Sequence, residues 1–211
     1  MYFVDFHHHK KKTFGVYNYF FPEEIPTGYF SVGLHPKDID EHFEEKLIRI
    51  KEISTHPNCV AIGECGLDAL VRIDENLQKH IFLQQILWAN EIGKPIIIHC
   101  VRRFSDVSRL KKKARIPMVI HGFNKKYELA QSLVQQGFYL SFGKALLYRE
   151  ALQQTVRQLP LDKILLETDD ADVKIKELYN QLSEIKNRPV EDIQNRIKEN
   201  ISTILGRDIG L

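Results

Sequence analysis

The stretch "FLQQILWANEIGKPIIIHC" (residues 82–100) joins a helical pattern to a buried-strand pattern. Over residues 75–93 the spacing of Leu77, Ile81 and Trp88 follows a helical repeat that ends at Gly93. The run "KPIIIHC" that follows is almost continuously apolar and rich in isoleucine, as a strand buried on both faces should be. A helix that leads directly into such a strand indicates a parallel sheet with crossover helices.

Seven other short apolar runs occur along the chain, and most are rich in the β-branched and aromatic residues that favour strands. They are residues 1–6, 14–21, 28–34, 59–64, 116–123, 137–143 and 163–169. Further helices are predicted over residues 40–54, 126–136, 145–158, 172–187 and 190–205. Eight strands alternating with helices predict an α/β fold of the (β/α)8 TIM-like barrel class.

The length of the chain limits this barrel. Such barrels typically need about 250 residues, and this chain has 211. The first three apolar runs (residues 1–6, 14–21 and 28–34) lie so close together in sequence that any helices between them must be short or absent. We therefore expect a barrel trimmed in the region of strands 1–3, with an open doubly wound sheet as the alternative. No repeat or hinge-like segment divides the sequence, so residues 1–211 are predicted to form a single domain.

Histidines and acidic residues stand where the predicted strands end. In "VDFHHH" (4–9), His7 and His9 point to one side of a strand and His8 to the other. The other members of the set are Glu64, His99, His121 and Asp169. They lie at or near the ends of the apolar runs 59–64, 94–100, 116–123 and 163–169. In a barrel these strand ends meet on one face, where active sites are built. Such a set exceeds one tetrahedral zinc site, so we expect two divalent ions, of Zn, Mn or Mg.

The chain resembles the TatD-type metal-dependent deoxyribonucleases from residue 1 to about residue 205. The motifs that carry the resemblance follow the family's order: "VDFHHH" (4–9), "SVGLHP" (31–36), "AIGECGLD" (61–68), "VIHGF" (119–123) and "LLETD" (165–169). The resemblance implies a TIM-like barrel of the amidohydrolase-like group. It also implies hydrolysis of phosphodiester bonds, with DNA as the expected substrate.

The resemblance also implies roles for the predicted metal ligands. His7, His9 and Asp169 are implied to bind one ion, and His99 and His121 a second ion. Glu64 is implied to bridge the two ions. Asp169 is further expected to orient the attacking water and to accept its proton. Asp169 and Glu64 are therefore the predicted catalytic residues.

Three residues are candidates for substrate contact. His35, in "GLHP", matches a family position near the substrate pocket, although packing at a strand end explains a histidine there equally well. Arg102 follows Val101, which occupies the position where the family commonly has an arginine. Phe123 is placed to stack a base or sugar, and a packed wall of the site is the equal alternative.

Composition sets further limits. Thirty Lys+Arg residues against 28 Asp+Glu give a net charge of +2, which creates no global field but allows a local basic patch to bind nucleic acid. Three cysteines, no leader sequence and no apolar run near the roughly 20 residues of a membrane span predict a soluble, cytoplasmic protein. No membrane and no obligatory protein partner is expected.

Two departures from the family pattern leave the substrate open. Val101 replaces the common arginine, and "ETD" continues as "DAD". One alternative is hydrolysis of another phosphoester or of an amide by the same metal centre. The other is a catalytically inactive barrel that binds a metal or a partner.

Overall fold

The computed structural model describes residues 3–11 and 13–207. Eight strands occur in one sheet, in chain order. They are β1 (Asp5–His8), β2 (Gly15–Tyr19), β3 (Phe30–Val32), β4 (Cys59–Asp68), β5 (Ile96–Val101), β6 (Met118–Ile120), β7 (Phe138–Phe142) and β8 (Ile164–Leu166). Residues 1 and 2 of the predicted first strand lie outside the described residues.

The helices alternate with the strands after β3. They are α1 (Phe43–Ser54), α2 (Glu75–Ile92), α3 (Phe104–Lys111), α4 (Tyr127–Gln135), α5 (Ala145–Tyr148), α6 (Glu150–Gln158), α7 (Ile175–Lys186) and α8 (Val190–Leu205). Single 3₁₀ turns occupy Pro36–Asp38 and Leu161–Lys163. The predicted (β/α)8 class is confirmed. The predicted trimming is also confirmed, because the described residues between β1 and β3 contain no helix.

Two helix predictions need correction. The sequence pattern missed α3, which is only eight residues long and buries Val107 alone, so its apolar repeat is too short to detect. The single helix predicted over residues 145–158 is two helices, because Arg149 between them has the extended angles φ −105° and ψ 97°.

The ends of β4, β5 and β8 also differ from prediction, and β8 stops at Leu166, three residues before Asp169. The apolar run 59–64 stops at Glu64, but β4 continues to Asp68, and all ten of its residues are buried. β5 extends past His99 to Val101, since the pairs Gly66–His99 and Asp68–Val101 prolong the ladder between the two strands. Glu64 and His99 therefore lie within their strands and not at their ends.

Contacts divide the chain into two compact units, residues 1–17 with 121–211 (unit 1) and residues 18–120 (unit 2). The prediction of a single domain stays a prediction. The core of unit 1 contains the buried side chains of Phe6, Phe138, Leu165 and Tyr179. Tyr179 of α7 donates a hydrogen bond to the Val4 carbonyl (3.0 Å), which holds α7 against the start of β1.

Unit 2 is organised by α2. This helix begins after Asp74, whose Oδ1 accepts a hydrogen bond from the Leu77 N–H (2.9 Å), and ends at Gly93 with φ 67°, as the sequence predicted. Two buried glutamines on α2 form hydrogen bonds with backbone groups. Gln85 exchanges hydrogen bonds with Leu34 (2.8 and 3.2 Å), and Gln78 does the same with Asp68 (2.9 and 3.1 Å). These contacts fix the end of β4 and the segment after β3.

In the ranges that the structure describes, no helix is both long and apolar enough to cross a membrane.

Candidate functional site

The first group of candidate ligands lies in unit 1 and is called here the Asp169 cluster; it contains His7, His9, His121, Glu167 and Asp169. Asp169 Oδ1 lies 3.1 Å from His9 Nε2 and 3.7 Å from His7 Nε2. The His7 and His121 rings are 4.6 Å apart between centroids. The His7 side chain is fully buried, whereas those of His9 and Asp169 are 23% and 36% exposed, so the cluster opens to solvent on one side.

The backbone places Asp169 beside the histidines. Its N–H donates to the His7 carbonyl (3.0 Å), and its carbonyl accepts from the His9 N–H (3.1 Å). Asp169 has φ 54°, a left-handed conformation that few residues other than glycine adopt and that Asp tolerates better than most. A sparsely populated backbone angle held by surrounding contacts is a feature of functional sites.

Thr168 and Asp5 reinforce this arrangement. The Asp5 carboxyl group accepts hydrogen bonds from the Thr168 N–H (2.9 Å) and hydroxyl (2.6 Å). Burial raises the pKa of Asp5 to about 7, against the lowering effect of those hydrogen bonds. The contacts fasten the segment after β8 to β1, and Asp169 follows directly from the fastened residue.

Glu167 follows the end of β8 and is fully buried. Its Oε1 accepts a hydrogen bond from the Gly122 N–H (2.6 Å) and lies 3.4 Å from His121 Nδ1. A carboxylate beside one ring nitrogen is the usual outer partner of a metal-binding histidine, because it orients the ring and leaves the other nitrogen for the metal.

The second group lies in unit 2 and is called here the Glu64 cluster; it contains Asn18, His35, Glu64, Asp68 and His99. Glu64 Oε1 lies 3.1 Å from His99 Nδ1 and 3.3 Å from His35 Nε2. Asn18 holds Glu64 at two points, since its Nδ2 donates to Glu64 Oε2 (3.0 Å) and its Oδ1 accepts from the Glu64 N–H (3.1 Å). His99 Nε2 lies 2.8 Å from Asp68 Oδ2.

The alternation of β4 explains this grouping. Gly66 and Asp68 lie on one side of the strand, two residues apart, and Glu64 precedes them where the pairing with β5 is irregular. His99 pairs with Gly66 on the neighbouring strand, so its ring contacts one carboxylate on each side. Asp68 was missed from sequence although it stands at this spacing in "AIGECGLD". Asn18 was missed too, and the only signal for it is a polar residue inside the apolar run 14–21.

Both clusters fit a divalent cation. The ligand atoms of His7, His9 and Asp169 lie within 4.8 Å of one another, and so do those of His35, Glu64 and His99. A carboxylate oxygen and an unprotonated imidazole nitrogen are both acceptors, so contacts of 3.1 Å between them need a proton or a cation between the two atoms. Mixed nitrogen and oxygen ligands suit Zn, Mn or Mg.

The resemblance implies that His99 and His121 share one ion. His121 lies beside His7 and Glu167 in the Asp169 cluster, and His99 lies beside Glu64 and Asp68 in the Glu64 cluster. The implied sharing of one ion by His99 and His121, with Glu64 as a bridge, therefore stays a prediction.

The three predicted substrate residues have different surroundings. His35 is buried, and its Nδ1 accepts a hydrogen bond from the Lys37 N–H (3.0 Å). Phe123 is 2% exposed and packs edge-on against Phe142, which favours the wall of the site over a stacking surface. Arg102 is exposed and has φ 56°. Contact of any of the three with substrate stays a prediction.

Replacing His7 with Ala should remove metal, whereas replacing His8 with Leu should not. His8 is predicted to point to the other side of β1; it is buried with its ring 5.9 Å from that of Tyr17, and burial lowers its pKa to about 4. Loss of a ligand should cost at least the roughly 10–100-fold in affinity that loss of an outer partner costs. Competition with a chromophoric chelator measures the affinity for Zn²⁺. An equal loss of affinity for Zn²⁺ in both variants would show that the assumed orientation of β1 is wrong.

Sequence comparison places the chain among known proteins. The family model described as TatD related DNase matches residues 21–206. The chain is 32% identical to the uncharacterized metal-dependent hydrolase YabD of Bacillus subtilis, over 84% of this chain and 77% of that protein. It is 30% identical to an uncharacterized metal-dependent hydrolase of Haemophilus influenzae, over 87% of this chain and 78% of that protein.

Solved structures share the fold. The Escherichia coli protein YjjV, described as a TatD homolog, has a TM-score of 0.74 at 24% identity, over 83% of this chain and 76% of that one. A hydrolase TatD family protein of Entamoeba histolytica has a TM-score of 0.71 at 20% identity, over 83% of this chain and 74% of that one. The family match covers most of the chain, and the chain therefore belongs to the TatD-related DNase family of metal-dependent hydrolases.

Proposed function

We propose that this hydrolase is a deoxyribonuclease that cleaves phosphodiester bonds with the help of two divalent ions. The observation that carries the proposal is the Asp169 cluster, in which a partly exposed carboxylate is fixed between two histidines at the end of β1. The name of the matching family supports DNA as the substrate.

The proposed ligands divide by unit. We assign His7, His9 and Asp169 to one ion, and Glu64 and His99 to the other; His121 stays a predicted ligand without an assigned ion. When bound, such ions supply positive charge that polarises a phosphodiester and lowers the pKa of water toward neutrality. Zn²⁺, Mn²⁺ and Mg²⁺ are all compatible with the nitrogen and oxygen ligands.

The chain's own residues supply orientation and proton transfer. Asp169 is the proposed proton acceptor, because its carboxylate is 36% exposed while its backbone is fixed to β1 on both sides. Glu64 is the proposed second catalytic carboxylate. Its Oε2 accepts a hydrogen bond from Asn18, which directs Oε1 to the histidines.

Substrate binding in this proposal relies on exposed cations. Arg102 is the best candidate for a phosphate contact, because it is exposed at the end of β5, whereas the neighbouring Arg103 lies 2.7 Å from Glu75. The sparse cysteines suit the cytosol, where we expect the protein to act.

The proposal predicts metal-dependent cleavage of DNA. Protein stripped with a chelator should leave end-labelled single-stranded and duplex DNA intact, and addition of Mg²⁺, Mn²⁺ or Zn²⁺ should restore cleavage. Denaturing gels measure the fragments. The variant Asp169→Asn, purified in parallel, controls for contaminating nucleases.

A panel of small phosphoesters and amides separates the alternatives. Turnover of such compounds without cleavage of DNA would replace the deoxyribonuclease with another hydrolase. Stoichiometric metal binding without turnover of any substrate would support the inactive metal-binding barrel.

A further inference from the structure

His99 lies between two carboxylates that belong to the same strand. Its Nε2 is 2.8 Å from Asp68 Oδ2, and its Nδ1 is 3.1 Å from Glu64 Oε1. A ring that binds a metal through one nitrogen carries its proton on the other. The identity of the ligating nitrogen therefore depends on which carboxylate accepts the proton.

The surroundings of Asp68 suit it to accept that proton and to stay in place. Its side chain is 11% exposed, and its Oδ1 accepts a hydrogen bond from the Leu70 N–H (2.7 Å). Its backbone N–H and carbonyl are both bound by Gln78 of α2. One carboxylate oxygen is thus committed to the backbone, and the other is directed at His99.

We infer that Asp68 is a positioning residue, which holds the proton on His99 Nε2 and so presents Nδ1 to the ion of the Glu64 cluster. The inference rests on the proposed binding of a metal by that cluster. It adds Asp68 to the residues that determine metal affinity, and it fixes the nitrogen through which His99 binds.

The same reasoning separates His99 from His35. His35 Nδ1 accepts a hydrogen bond from the Lys37 N–H, so the proton of the neutral ring is on Nε2, the nitrogen that faces Glu64. His35 therefore donates to Glu64 and orients this carboxylate, whereas His99 serves as a ligand. Within the Glu64 cluster, the tautomers select one of two histidines for the metal.

The variant Asp68→Asn tests the inference because the backbone fixes the amide. The side-chain oxygen keeps the hydrogen bond from the Leu70 N–H, so the amide NH₂ replaces Oδ2 and faces His99 Nε2. Two donors then oppose each other unless the ring moves its proton to Nδ1, and that move removes the ligand's lone pair. The affinity for Zn²⁺ should fall by roughly 10–100-fold, the usual cost of losing an outer partner of a metal-binding histidine.

A matched control removes a different carboxylate of unit 2. Asp106 has a side chain 14% exposed and lies 3.2 Å from Lys79. Asp106→Asn should leave the affinity for Zn²⁺ unchanged. Urea unfolding of the metal-free proteins is the second measurement. If Asp68 had only a structural role, Asp68→Asn would lower both the midpoint of urea unfolding and the affinity for Zn²⁺. A positioning role lowers the affinity while the midpoint stays at the parent value.

A crystal structure of the zinc-loaded parent protein identifies the ligating nitrogen without any activity measurement. The inference requires zinc on His99 Nδ1, Asp68 hydrogen-bonded to Nε2, and no bond from zinc to His35. Ligation through Nε2, ligation by His35, or parental affinity in Asp68→Asn would each overturn it. Failure of DNA cleavage would overturn the proposed substrate and leave these results standing.

Discussion

Replacing Asp169 with Asn should lower the rate of DNA cleavage by roughly 10²–10⁴-fold, the range expected for loss of a general base. Asn keeps the shape of the side chain but removes its charge and the basicity of its oxygen. It also tolerates the left-handed backbone angle of Asp169 (φ 54°). The hydrogen bonds from this backbone to β1 should therefore persist, and the loss should be chemical rather than conformational.

The measurement is the single-turnover rate on labelled DNA at saturating Mn²⁺ or Mg²⁺, so that weaker metal binding does not enter the comparison. The matched control is Asp170→Asn, because Asp170 is exposed, as is Asp172. Asp170→Asn should cleave at the parental rate. A parental rate in Asp169→Asn would remove this residue from the mechanism.

Replacing Gly66 with Ala should destabilise the protein by about 3 kcal/mol, through overpacking and backbone strain. Gly66 has φ 147°, and an added Cβ would lie only 2.0 Å from the carbonyl oxygen of His99. Real Cβ atoms do not approach a backbone oxygen so closely, so β4 and β5 must separate. That separation would also draw His99 away from Glu64 and Asp68, and metal affinity should fall with stability.

Urea unfolding of the metal-free protein measures the first effect, and chelator competition measures the second. Gly28→Ala is the matched control, because Gly28 belongs to the same unit and an added Cβ there has no atom within 4 Å. Its midpoint should equal that of the parent. If Gly66→Ala unfolds at the same urea concentration as Gly28→Ala, the stability of the protein does not depend on the close approach of β4 to β5.

The strands could be predicted from the sequence because each buried strand contains several consecutive apolar residues. The run "KPIIIHC" is apolar at almost every position, and β5 is found within it and one residue beyond. The boundary of β4 was not predictable in this way. Its last residues include Glu64 and Asp68, which are polar and yet buried, and an apolar run cannot reveal a polar residue whose partners lie on other elements.

For the candidate site, residue type and position along the predicted strands identified the candidate metal ligands. Strand alternation predicts that His7 and His9 point to one side of β1 and His8 to the other. What each ring touches depends on the tertiary fold. Asp68 reaches His99, and Asn18 reaches Glu64, across 31 and 46 residues of chain respectively. The tautomer of a histidine depends on such contacts, because its proton resides on the nitrogen that faces an acceptor, and local sequence does not encode a neighbour that the fold brings from so far away.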